Sequence, residues 1–406
     1  MKIIRYGSNE LKKIYNRSIC RRPKIISRVA KIVEDVRQSG DEAVARYTKK
    51  YDRVKILPKH LKVTQAEISG AYQNIQPDFA SSLKLIIDNV TRFYKRQIRK
   101  PWKTKNTEGI ILGEQFTPLD STGIYIPAGQ APLVSTVYMT VLPAKIAGVK
   151  RIALATPPDK SGNINPHILV VADLLKVNEI YKMGGAQAIA ALAFGTKTVP
   201  AVNKIVGPGN AYVTEAKRQV YGYTDIDMLA GPSELVIIAN RHSHTSYLKA
   251  DLLAQSEHNG GTIILITNSK SQAKQFRHEI KDGYIILVKN LNQAIETANE
   301  IAPEHLEILI QNPFKIVKKI KNAGAIFLGP YSPVAVGDYV AGPSHVLPTA
   351  GTAKFFSGLS LNDFIKSNHI ISYSKKALED IRGPLEKIAN IEGLAKHLES
   401  IKVRFD

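Results

Sequence analysis

Residues 151–220 read RIALATPPDKSGNINPHILVVADLLKVNEIYKMGGAQAIAALAFGTKTVPAVNKIVGPGNAYVTEAKRQV. Short apolar runs at 151–156, 179–183 and 204–206 read as strands. They alternate with helical stretches at 166–175, from Gln187 onward, and at 211–220. A β-α-β-α alternation of this kind predicts mainly parallel sheets with helices on both faces. The same rhythm continues downstream, with strands at 234–239, 262–267, 284–288, 307–310 and 325–328 and helices at 246–257, 271–280, 291–301 and 313–322. That is more strands than one sheet holds comfortably, so two α/β lobes are expected.

Upstream of the alternation the chain reads as helical over 24–98. Ile25, Ile26, Val29, Ile32, Val33 and Val36 recur at helical spacing as far as Gly40, and a second short helix starts at Asp41. Thr64 and Glu67 have the spacing of a capping box. From 109 to 129 the pattern changes to extended runs punctuated by Gly and Pro, read as a β-ribbon leading into a loop.

The chain has 406 residues, enough for two cores, and 56 Lys+Arg against 35 Asp+Glu give a net charge of +21. The basic residues are spread along the whole length, as at 49–50, 95–105, 318–319 and 375–376, without a finger motif or an arginine-rich tail. That spread favours a lysine-rich solvated surface over a nucleic-acid site, although such a surface also attracts an anionic cofactor. Apolar stretches such as 188–194 are far shorter than the ~18 residues a spanning helix needs, and no apolar h-region follows the start. The single cysteine, Cys20, rules out an internal disulfide framework. A cytoplasmic, globular protein is expected.

Three turns on strand-to-helix connections carry ligand potential: Met183-Gly184-Gly185-Ala186-Gln187, Gly207-Pro208-Gly209-Asn210 and Ala230-Gly231-Pro232-Ser233. Sheets of this type bind ligands at the carboxyl ends of strands, and helix N-termini offer free N–H groups to anions. None of the three completes a G-x-G-x-x-G fingerprint, and each also reads as an ordinary tight turn. Gln255 and His258 lie three residues apart near the end of a helix stopped by Gly260-Gly261. Asp338 and His397 could complete a nitrogen and oxygen site suited to zinc, but their sequence separation does not establish one, and His258 alone reads equally as a helix-end surface histidine. Glu304 and His305, adjacent after Pro303, offer two proton carriers of different pKa, or a surface charge pair.

Together these segments resemble the histidinol dehydrogenase family. The matching stretches are GIYIPAGQAPLVSTVYMTVLPAKIAGVK, MGGAQAIAALAFGT, KIVGPGNAYVTEAKRQV, IDMLAGPSE, ADLLAQSEH, APEHLE, NAGAIFLG, GDYVAGPSHVLPT and EGLAKH, in order from Gly123 to His397. The resemblance implies two incomplete Rossmann-like lobes with mainly parallel sheets, N-terminal helices and a C-terminal helical tail (aldehyde/histidinol dehydrogenase-like). The domain boundaries expected are an extension at 1–23, a first, discontinuous lobe at 24–125 and 234–358, a second, NAD-binding lobe at 126–233, and a dimerisation tail at 359–406.

The resemblance also implies a zinc-containing homodimer that oxidises L-histidinol to L-histidine through L-histidinaldehyde with two NAD⁺. It implies one zinc per subunit, held by Gln255, His258, Asp338 and His397, with the tail swapped so that Glu392 and His397 complete the neighbour's site. Ser233, His345 and Glu392 match substrate contacts, alongside the metal ligands and His305. Tyr125, Gln187 and Asn210 match NAD contacts, and Glu304 and His305 match the acid/base pair. Cys20 stands apart from every matched segment, which predicts a second oxidation through a hydrate rather than a thiol adduct. Ala128, Gln130 and Ser344 depart from the family's usual residues, and the connection at 268–284 is shorter than usual. The alternative is a related zinc and NAD alcohol dehydrogenase acting on another small polar alcohol, such as a sulfonated diol.

Overall fold

The computed structural model describes residues 1–17, 22–128, 131–257 and 260–405. These form two compact units, one of Met1–Gln97 with Leu119–Phe364 and the other of Ile98–Pro118 with Ile365–Asp406.

The first unit is built on two parallel sheets. The six-stranded sheet runs in the order Lys2–Arg5, Tyr284–Leu287, Thr262–Thr267, Glu234–Ala239, His305–Leu309, Ala325–Leu328. The five-stranded sheet runs Glu179–Lys182, Arg151–Thr156, Ser121–Tyr125, Lys204–Val206, Asp225–Ile226. Strand alternation sorts the cores. Leu235 and Ile237 face one cluster of the six-stranded sheet while Val236 and Ile238 face the other. In the five-stranded sheet Ile152 and Leu154 face one side, Ala153 and Ala155 the other. Burial on both faces is why these strands read as unbroken apolar runs.

Each sheet reverses its strand order beside its first long strand: between Ser121–Tyr125 and Lys204–Val206 in one, and between Glu234–Ala239 and His305–Leu309 in the other. Reversals of this kind open a crevice. Gly40, with φ 51° and ψ −130°, breaks the helical stretch Pro23–Tyr51 where the sequence predicts it. Thr64 and Glu67 form the expected capping box.

Several expectations are corrected. Residues 1–23 are not a mere extension: Lys2–Arg5 is the edge strand beside Tyr284–Leu287, a partner too remote in sequence for a four-residue run to advertise. Nor does 24–125 group with 234–358. Val29, Ile32 and Val36 pack in the core of the five-stranded sheet with Ile189 and Leu192 of helix Gly185–Phe194, and Ser121–Tyr125 is a strand of that sheet. The tail does not begin at 359, because Leu359, Leu361 and Phe364 are buried in the first unit's core. The predicted ribbon at 109–129 is divided. Ile111–Pro118 pairs antiparallel with Trp102–Lys105 and Ile365–Ser372 in the second unit, while Ser121–Tyr125 joins the parallel sheet. The helix expected at 313–322 shortens to Phe314–Val317. The helices Lys375–Asp380, Arg382–Ile391 and Ala395–Lys402 complete the second unit. Among the described residues no helix is long and apolar enough to cross a membrane.

Candidate active site

The Glu304–His305 pair follows helix Leu291–Ile301, which ends at Ala302 in the left-handed conformation, with Pro303 blocking its continuation. His305 is the first residue of its strand, not a loop residue as its sequence context suggests. The carbonyl of Glu304 accepts from Ala325 N at 2.9 Å. A side chain at Gly324 would bring a Cβ to 2.6 Å from that carbonyl, so glycine is required there. Both members of the pair are buried.

The backbone of Glu234 holds both. Its N–H donates to Glu304 Oε2 at 2.8 Å, and its carbonyl lies 3.1 Å from His305 Nδ1. A carbonyl only accepts, so Nδ1 carries the proton and Nε2 is left as the basic nitrogen, 3.7 Å from Asp338 Oδ1. Burial, with Glu234 and Asp338 nearby, pushes the Glu304 carboxyl up to about 8, against the Ser233 hydroxyl and the Glu234 N–H, which favour the carboxylate. Asp338 lies on helix Val334–Tyr339, and its own carbonyl accepts from His345 Nδ1 at 2.9 Å. The other nitrogen of His345 accepts from Thr136 Oγ1 at 3.1 Å, and the preceding residue, Ser344, donates its N–H to buried Tyr94. His305, Asp338, Ser344 and His345 line one hollow of about 660 Å³ together with Phe327.

Ser233 and Glu304–His305 therefore enter at the amino ends of adjacent strands of the six-stranded sheet, opposite to the carboxyl-end rule used on the sequence. The five-stranded sheet obeys that rule. Tyr125 ends the strand at the reversal, and its hydroxyl accepts from Gly185 N at 3.1 Å. Burial pushes that phenol up to about 12, so it stays protonated. Gln187 is buried in the first turn of helix Gly185–Phe194, with no partner for its Nε2 among the described residues. Asn210 caps helix Ala211–Val220, accepting from Tyr212 N at 2.9 Å and Val213 N at 3.2 Å. Gly207 has φ +116°, and a Cβ there would meet the Tyr125 carbonyl at 2.2 Å. Its own N–H and carbonyl are held by the buried Asp227–Lys217 ion pair.

Gln255 lies in the last turn of helix Thr245–Ser256, buried, with its Nε2 also unpartnered among the described residues. His258 lies outside the described residues, as do Cys20 and Gln130. Glu392 and His397 belong to the second unit, where they share a hollow of about 440 Å³ with Leu385 and Ile388. No three His, Cys, Asp or Glu side chains gather as a metal cage among the described residues. The buried side-chain amide of Gln255 and the carboxylate of Asp338 each offer an oxygen donor of a kind a metal accepts.

Sequence reading missed Arg17, Glu234, Thr136 and a carboxyl pair. Glu307 shares a strand face with His305 and is hydrogen-bonded to Asp251, a contact between two carboxyls that requires a proton. Burial raises both carboxyls. Glu234 and Glu307 stood in the quoted motifs, but no local signal separates a buried carboxylate from an exposed one.

Two parallel sheets, each reversing its strand order, with a buried Glu304–His305 pair at one reversal, define an α/β protein with a candidate acid/base site. An acetylating aldehyde dehydrogenase from Geobacillus thermoglucosidasius shares the fold at TM-score 0.50 and 12% identity, covering 90% of this chain and 94% of that one. The family model for histidinol dehydrogenase matches residues 16–405. A histidinol dehydrogenase of Caldanaerobacter subterraneus is 48% identical over 97% of this chain and 95% of its own length. One from Clostridium acetobutylicum is 46% identical over 94% and 93%. The crystal structure of histidinol dehydrogenase from Elizabethkingia anophelis superposes at TM-score 0.93 with 35% identity, covering 100% of this chain and 98% of that one. The chain belongs to the histidinol dehydrogenase family and is an oxidoreductase. Nothing in these likenesses supports the alternative of another small polar alcohol such as a sulfonated diol.

Proposed function

We propose that the chain oxidises L-histidinol to L-histidine through L-histidinaldehyde in the cytoplasm, as a homodimer with shared active sites, consuming two NAD⁺ per substrate. The observation that carries the division of labour is the Glu234 backbone, whose N–H and carbonyl orient the Glu304 carboxyl and the His305 tautomer together.

With Nδ1 committed to the Glu234 carbonyl, His305 Nε2 takes the hydroxyl proton of the alcohol as hydride leaves the carbinol carbon. NAD⁺ supplies the hydride acceptor in both oxidations, against Tyr125, Gln187 and Asn210. Glu304 then removes a proton from water as the water oxygen adds to the aldehyde carbon, and His305 Nε2 returns its proton to the carbonyl oxygen, giving the hydrate and a neutral imidazole. His305, neutral again, accepts one hydroxyl proton of the hydrate as the second hydride departs, leaving the carboxylic acid, which ionises to the carboxylate on release. Burial of both groups excludes bulk water, so the proton passes between defined atoms.

Zinc would be held by Gln255, His258 and Asp338 with His397 of the partner subunit, and when bound it supplies a grip on the substrate's imidazole and amino nitrogens. Ser233, His345 and Glu392 would orient the remaining polar atoms. Exposed Ile388 and Ile391, beside Glu392 on the tail, support an apolar docking face for the second copy.

Purified protein should release two NADH per L-histidinol and carry one metal ion per subunit. No NADH from histidinol, with NADH from another alcohol, would overturn the reading.

A further inference from the structure

The N-terminal segment does more than add an edge strand. After strand Lys2–Arg5 and helix Asn9–Tyr15, Arg17 turns inward. Its guanidinium grips the Glu234 carboxylate with two bonds, Nε to Oε1 at 2.6 Å and Nη2 to Oε2 at 2.7 Å. Its remaining nitrogen, Nη1, donates to the carbonyl of Ile301 at 2.6 Å and to that of Ile14 at 3.2 Å. The Glu234 side chain is 5% exposed and that of Arg17 16%.

Ile301 ends the helix that delivers Glu304 and His305, and Glu234, the first residue of its strand, binds both through its N–H and its carbonyl. One planar fork thus ties together the two chain segments that must stay in register for the acid/base pair to point correctly. A lysine presents a point charge and no fork, so it reproduces the neutralisation but not the double grip.

We infer that Arg17 is a positioning residue for the Glu304–His305 pair, clamping Glu234 and the end of helix Leu291–Ile301 so that the backbone of one residue presents both side chains at fixed distance. This rests on the proposed roles of Glu304 and His305. It assigns a positioning duty to a residue whose guanidinium bonds go to Glu234, Ile14 and Ile301. A displacement of the order of 1 Å at a reacting centre costs about a hundredfold in rate, so a loosened clamp shows in turnover before it shows in binding.

The experiment compares wild type, Arg17→Met, Arg17→Lys and the double variant Arg17→Met/Glu234→Gln in the full dimeric enzyme. Steady-state NADH formation from histidinol and thermal midpoint are read for each. Arg17→Met should lower kcat about tenfold or more, with KM for histidinol and NAD⁺ little changed, and should lower the midpoint because a buried carboxylate loses its partner. Arg17→Lys should recover part of kcat. The double variant removes the stranded charge, so its midpoint should rise above that of Arg17→Met while kcat stays low. A kcat that rises with the midpoint in the double variant, or a near wild-type kcat in Arg17→Met, would overturn the inference. Inactive wild type on histidinol would instead strike the functional reading beneath it.

Discussion

The Glu304 carboxyl is buried, and that alone gives the chain a pH signature. An unfolded glutamate releases its proton near 4.5, whereas the folded chain holds it to about 8. A group bound more tightly in the folded state stabilises it fully below the unfolded value, and that contribution disappears as pH rises through the folded one. Each unit of separation is worth about 1.4 kcal/mol, so the loss across this window amounts to a few kcal/mol. With chelator present, the thermal midpoint of wild type should fall more steeply between pH ~5 and ~8 than that of Glu304→Gln, which carries no titrating proton. Parallel curves would refute the buried proton. At the other end of the chemistry, Cys20→Ala should retain both oxidations, because water rather than a thiolate attacks the aldehyde. Selective loss of the second oxidation would restore a thiol route.

At the scale of elements, the turn Gly207-Pro208-Gly209-Asn210 is kept in shape by the buried Lys217–Asp227 pair, which grips the Gly207 peptide from both sides. Lys217→Met strands Asp227 in the interior, and about 3–5 kcal/mol of stability should be lost. KM for NAD⁺ should rise more than KM for histidinol, measured by separate titrations. Equal changes in the two would mean that the turn does not serve the cofactor. The turn itself was legible in the sequence, because Gly and Pro mark such backbone directly, and so were the break at Gly40 and the cap at Thr64. Lys217 and Asp227 were not, since nothing local distinguishes a lysine aimed inward from its solvated neighbours. The same limit hid Lys2–Arg5. A parallel edge strand takes its identity from a partner hundreds of residues away. It also hid Arg17, whose meaning appears only when the strand entrances at Glu234 and His305 meet.

On the scale of the whole molecule, the two sheets offer opposite edges to chemistry: carboxyl ends in the five-stranded sheet, amino ends in the six-stranded one. The frame was legible as α/β with mainly parallel sheets, but which segments join which sheet was not, because strands sort by pairing rather than by proximity along the chain. The tail carrying Glu392 and His397 is proposed to complete a second copy's site. Deleting residues 391–406 should abolish metal retention and NADH formation while circular dichroism still reports the parallel sheets. Full activity of the truncated or strictly monomeric chain would contradict the shared site. The most direct test of how Glu304 and His305 divide the reaction is a single turnover of histidinol by Glu304→Gln with excess NAD⁺ and an aldehyde trap. One NADH per site and captured histidinaldehyde, against two NADH and free histidine for wild type without the trap, is the expected result. A second NADH formed by the Glu304→Gln enzyme at the wild-type rate would contradict it.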